Sequence, residues 1–165
     1  GRVSIASDNG ETLDIDEFEF LSYRAFSGAD TFNIGDVAAE GLRTFNVELQ
    51  VSNSNPDLYP DHVSLTGSEG SDAVTVSGPA PTTQSGTRLN VIGGSPADVD
   101  TLAVDPGLGD DSIDASNLAG GIVQLTVDAG AGTNTVVGSA GNDTARFTGT
   151  RAYARPSRLR GVSSR

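Results

Sequence analysis

The chain has no cysteine, methionine, tryptophan or lysine among its 165 residues. Without cysteine there are no disulfide staples and no zinc-thiolate sites, and the redox compartment cannot be read from thiols. A single histidine, His62, sits beside Asp61 in the strand-like DHVSL, so any Ser-His-Asp triad would have to include it. Aromatic residues make up 5% of the chain, and no run reaches the 18 or so apolar residues that a membrane-spanning helix needs. Helix is scarce as well. No window of about eleven residues keeps apolar positions at helical spacing without a glycine or proline break, and the one short candidate is DVAAEGL, residues 36–42. Phosphate-loop, zinc and dinucleotide patterns are missing. The lack of an initiator methionine, and of a basic-then-apolar leader, leads us to expect an internal or trimmed piece of a longer chain.

What the chain does have is acid and glycine. Asp and Glu number 22 against 10 basic residues, for a formal net charge of -12, and there are 21 glycines. All the acids lie at or before Asp143, whereas six of the ten arginines are at Arg146 or beyond. A body this acidic repels nucleic acid and anionic membrane surfaces and attracts cations, so neither nucleic acid nor membrane insertion is expected. The end of the chain, TRAYARPSRLRGVSSR, shows neither strand nor helix periodicity. Residues 148–165 are therefore expected to be a basic, disordered tail foreign to the fold, with the folded body over 1–147.

A short unit recurs through the body: Asp, any residue, apolar, any residue, apolar or small. It occurs at DTFNI from Asp30, DHVSL from Asp61, DAVTV from Asp72, DTLAV from Asp100 and DSIDA from Asp111. Alternation of period two, bounded by Gly, Pro, Asn and Asp, marks short strands. The pair beginning at Asp61 and Asp72 returns as the pair at Asp100 and Asp111, and a further strand-like stretch precedes each pair: FNVELQV and LNVI, with IVQLTV following later. Short strands at regular spacing without helices, repeating over a fixed long period, predict an all-β parallel β-solenoid. Three strands per coil suits a recurrence of whole strand pairs, with the two-sided β-roll as the alternative. In the three-sided register Val74, Ile113 and Ala145 share one interior row, and Asp72, Asp111 and Asp143 form one column of turns. The two-sided roll instead places Asp111 beside Asn134.

Glycine-rich turns precede several of these strands: GSEGSDAV, PGLGDDSI, AGAGTNTV and GSAGNDTA. Here the chain resembles the haemolysin-type calcium-binding repeat family, the RTX proteins, whose nonapeptide G-G-x-G-x-D-x-U-x sets an apolar residue in a short strand after a glycine turn. The resemblance is closest over residues 106–145 and covers about 11–147. It departs at the opening Gly-Gly, which is Gly67-Ser68, Pro106-Gly107, Ala129-Gly130 and Gly138-Ser139 here, and at the sixth position, which is Asn134 in one copy.

By that resemblance Asp72, Asp111 and Asp143 are side-chain calcium ligands, Gly70, Gly109, Gly132 and Gly141 are carbonyl donors, and Asn134 offers a weaker, neutral oxygen. Calcium takes about six to eight oxygens from carboxylates and carbonyls, and a divalent ion would relieve the repulsion between the adjacent Asp110 and Asp111. The resemblance further implies Ca²⁺ as the cofactor and a structural, non-enzymatic segment of a secreted or cell-surface bacterial protein, whose extracellular surface or polysaccharide ligand would be reached through the parent protein. The competing expectation is a parallel β-helix enzyme on polysaccharide, which would require two carboxylates flanking one bond.

Overall fold

A computed structural model of the chain describes residues 3–6, 12–15, 20–35, 44–50, 57–78, 86–95, 99–148, 151–155 and 159–164. The short helix expected over 36–42 falls outside them. The described residues are all-β. In chain order the strands are β1 (Val3–Ala6), β2 (Thr12–Ile15), β3 (Phe20–Arg24), β4 (Thr31–Ile34), β5 (Thr44–Glu48), β6 (His62–Thr66), β7 (Ala73–Ser77), β8 (Thr87–Ile92), β9 (Thr101–Asp105), β10 (Ser112–Asn117), β11 (Gln124–Asp128), β12 (Thr133–Val137), β13 (Asp143–Phe147), β14 (Arg151–Arg155) and β15 (Leu159–Ser164). β1 and β2 form a small antiparallel pair. The remainder make two parallel sheets, one of seven strands in the order β14-β12-β10-β7-β8-β5-β3 and one of six in the order β15-β13-β11-β9-β6-β4.

The period-two pattern produces these strands because alternate side chains point to one buried side. In β6, Val63 and Leu65 are buried while His62 and Thr66 are exposed, and in β9 Leu102 and Val104 face inward in the same way. Parallel register stacks like on like. Phe32, Val63, Leu102 and Leu125 follow one another across the six-stranded sheet, as do Ile34, Leu65, Val104 and Val127. Inward residues of both sheets belong to one hydrophobic cluster. Burying each Val, Leu or Ile contributes roughly 1.5–3 kcal/mol, so the rows of apolar side chains carry the stability of a chain with few aromatics.

The three-sided register does not hold. Ile113 pairs with Val74 on one side, as expected, but with Val136 on the other, and Ala145 lies in the second sheet opposite Val127. The recurrence over a long period has a different origin. Between β7 and β10 there are three strands' worth of chain, yet β7 and β8 are neighbours in the same sheet, Val76 against Leu89, and only β9 crosses to the other. From β8 onward successive strands alternate between the two sheets. A repeat count made along the sequence therefore gave the right number of strands per repeat and the wrong number of faces.

Within the segment expected to be a disordered tail, β14 pairs with β12 from Thr133↔Arg151 to Val137↔Arg155, and β15 pairs with β13. A terminal parallel strand leaves a row of unpaired N–H and C=O groups, and such an edge accepts a following segment through backbone bonds whatever its side-chain pattern.

Candidate metal centre

At the start of the strands on one edge of the seven-stranded sheet, three glycine turns lie on one another: residues 67–72, 106–111 and 129–134. A side chain at Gly109 (φ +121°) would have its Cβ 2.6 Å from the Gly70 carbonyl oxygen, and one at Gly132 (φ +127°) would meet the Gly109 carbonyl oxygen. These two positions need glycine twice over, because the left-handed conformation and the close backbone approach both exclude a Cβ. Gly70 has neither constraint. Its notional Cβ meets only Ser68 Oγ at 3.6 Å.

Behind the glycines runs a ladder of side chains. The Asp72 amide donates to Asp111 Oδ1 (2.9 Å), and the Asp111 amide donates to Asn134 Oδ1 (2.8 Å). Backbone bonds run the other way, from the Ser112 amide to the Asp72 carbonyl and from the Thr135 amide to the Asp111 carbonyl, both 2.8 Å. Asp111 and Asn134 thus each satisfy the amide that opens the neighbouring strand of the preceding rung. The adjacent carboxylates Asp110 and Asp111 diverge: Asp111 is buried in the ladder, while the exposed Asp110 accepts from the Thr133 amide (2.7 Å) and its own amide donates to Ser71 Oγ (3.2 Å).

The fourth turn, residues 138–143, does not join this column. Asp143 opens β13 in the six-stranded sheet, and the Ala140 amide donates to the Leu118 carbonyl (3.1 Å), so the third rung expected to be Asp143 is Asn134. Gly141 stands with it, apart from the Gly70, Gly109 and Gly132 stack. Asp143 also closes on its own turn, with Ser139 donating from its amide to Oδ2 and from Oγ to Oδ1, both 2.7 Å. Asp72 is closed in the same manner, Oδ2 accepting from the Ser68 amide (2.8 Å) and Ser68 Oγ (3.0 Å).

Asp111 differs because the residue four positions before it is Gly107, which has no hydroxyl. Its Oδ2 is buried and has no hydrogen-bond partner. Burial raises the Asp111 pKa, the Asp72 amide opposes this, and the neighbouring charges of Asp72, Asp110 and Asp105 raise it further. Asn134, the other member preceded by glycine at that position, donates from Nδ2 to the Ala129 carbonyl. The Ser-for-Gly exchange in the opening dipeptide of each turn is therefore the sequence signal that separates carboxylates closed on themselves from the one that is not.

A second ladder, not singled out as a site from the sequence, runs along the six-stranded sheet. The Asp30 amide donates to Asp61 Oδ1 (2.8 Å), and the Asp61 amide donates to Asp100 Oδ1 (2.9 Å). Its members open the same Asp-x-apolar unit as the first ladder, which is the signal that could have found it. Beyond Asp100 the ladder stops. Gln124 pairs with Thr101, so Val123 takes the next place, and there a cavity of about 610 Å³ opens, lined by Asp100, Val123, Gln124, Asn142 and glycines.

No protein-family model, curated protein or solved structure matches the chain.

Proposed function

We propose that the chain is a segment of a parallel β-solenoid whose stacked glycine turns hold calcium, serving as a structural module of a secreted or cell-surface protein. The observation that carries this reading is the buried Oδ2 of Asp111, without a partner, inside the stack of glycine turns. A buried carboxylate oxygen left bare is costly, and a hard cation is one of the few groups that offsets the cost. Asp111 would supply the charge and the carbonyls of the glycine turns most of the remaining oxygens, since among the described residues no three acidic or imidazole side chains converge. Asp72 and Asp143, closed on Ser68 and Ser139, are weaker candidates than the sequence motif implies. When bound, the ion would neutralise the like charges around Asp111 and so favour the folded chain over the unfolded one by mass action.

Support for a module over a polysaccharide-cleaving enzyme comes from the placement of the acids. The ladder acids stack along two sheet edges, and among the described residues the cavity beside Asp100 is lined by that one carboxylate. The decisive experiment is a calorimetric titration with Ca²⁺ and, separately, Mg²⁺, on the parent chain and on Asp111→Asn, with melting temperatures alongside. Calcium should bind and raise the melting temperature, magnesium should do little because of its tighter octahedral demand, and Asp111→Asn should lose the calcium response. Equal responses to both ions would reduce the effect to charge screening, and no response to either would refute the proposal.

A further inference from the structure

We propose that Asp61 is carried as a neutral carboxylic acid in the folded protein, a proton-held rung that makes the ladder Asp30-Asp61-Asp100 more stable in mildly acidic than in alkaline solution. The side chain is fully buried, its Oδ1 accepts from the Asp30 amide, and its Oδ2 has no partner. Among the described residues, the charges that act on it are acids. Asp30 packs from the turn before β4, Asp57 from the loop before β6 and Asp100 from the turn before β9, and all three act as like charges on it. The exposed His62 ring, next to it in the chain, is engaged through Nδ1 with Thr101 Oγ1 (2.7 Å).

The local turn also disfavours a cation. Where Asp111 follows a glycine turn, Asp61 follows Asp57-Leu58-Tyr59-Pro60, and Asp57 already uses Oδ2 for the Gly28 amide (3.0 Å) and Oδ1 for the Tyr59 amide (2.9 Å). The chain itself shows that a neutral occupant fits such a rung. Asn134, the last rung of the other ladder, accepts the Asp111 amide through Oδ1 just as Asp61 accepts the Asp30 amide. A protonated Asp61 shares with that asparagine its neutrality and its Oδ1 acceptor.

Burial, opposed by the Asp30 amide and reinforced by Asp57, Asp100 and Asp30, raises the Asp61 pKa from 3.8 to about 7. A carboxyl whose folded pKa lies above its unfolded value favours the folded state while it is protonated. Its contribution is therefore fully present below the unfolded pKa, is lost as pH rises toward about 7, and changes no further above that. Across the window the folding equilibrium should fall by about tenfold per pH unit on account of this one proton.

The test is a carboxyl-carbon NMR titration of the full chain, run in calcium and in chelator, together with melting curves against pH for the parent, Asp61→Asn and the surface control Glu69→Gln. The Asp61 resonance should titrate near neutrality in both media, and Asp61→Asn should raise the melting temperature at alkaline pH and flatten its fall between mildly acidic and neutral pH, while Glu69→Gln keeps the parent slope. A midpoint in the ordinary carboxylate range, or one that calcium drives there, would overturn the proposal, as would an Asp61→Asn profile parallel to the parent's. Should Asp61→Asn fail to fold, the titration of the parent decides alone. Since Asp61 lies in the other sheet from Asp111, loss of the calcium response and loss of the proton response are separable outcomes.

Discussion

The two side-chain ladders have the same hydrogen-bond geometry and different company. In each, the middle acid accepts the amide of the preceding rung through Oδ1, donates its own amide to the following rung, and keeps a buried Oδ2 without a partner. Around Asp111 the turns are glycine and the next rung is the neutral Asn134. Around Asp61 the preceding turn carries Asp57, Leu58, Tyr59 and Pro60, and the next rung is Asp100. On the two proposals made above, the same carboxylate placement is relieved by a cation where the turns are glycine and by a proton where further acids stand around it. Motif matching on the aspartate alone cannot distinguish them, because the difference lies in what stands before it.

The largest effect that would break this comparison is expected at Gly132. Gly132→Ala forces both the left-handed backbone and a clash with the Gly109 carbonyl, and should cost about 2–4 kcal/mol. The matching change beside the second ladder, Gly28→Ala, has the positive φ of +116° but no heavy atom within 4 Å of the new Cβ, and should cost about 1–2 kcal/mol. Urea midpoints for the two variants measure the difference, and equal losses would mean that the glycine turns are not held by stacking.

A second, intermediate effect would convert one ladder into the other. Asn134→Asp keeps the oxygen that accepts the Asp111 amide but replaces the Nδ2 donor to the Ala129 carbonyl with an acceptor, and adds a charge next to Asp111. It should destabilise by about 1–3 kcal/mol in alkaline solution and by less in mildly acidic solution, where the new carboxyl can keep its proton and donate. Melting curves at two pH values check this, and added calcium should restore part of the alkaline loss if the glycine column binds the ion. The smallest effect is outside both ladders. Glu48→Gln removes the charge of the Arg24–Glu48 ion pair (2.6 Å), but the Arg24 side chain is half exposed, so a loss of about 0.2–1 kcal/mol is expected, diminishing with salt.

Much of the strand pattern was legible in the sequence. The predicted apolar alternations correspond to β4 through β13, because inward and outward positions of a half-buried strand differ in hydropathy residue by residue. Stacking of Asp72 under Asp111 and of Val74 beside Ile113 was legible too, since both follow from one repeat length. Assignment of Asp143 to the same column was not. Its turn GSAGND matches GSEGSD at four of six positions, and the match reports a shared local closure of aspartate on serine, which forms equally well on either sheet.

What the sequence determined by itself is local: which residues form strands, which side of each faces inward, which turns demand glycine, and that the body is acidic enough to seek cations or protons. Which sheet a strand joins was decided only in the tertiary structure. A parallel strand offers the same donors and acceptors on both edges, so its own residues do not specify its neighbour; β8 lies between β5 and β7 because backbone pairing and a shared apolar core are satisfied there. That choice, made once, puts Asn134 rather than Asp143 next to Asp111, so that a neutral side chain rather than a second carboxylate accepts the Asp111 amide.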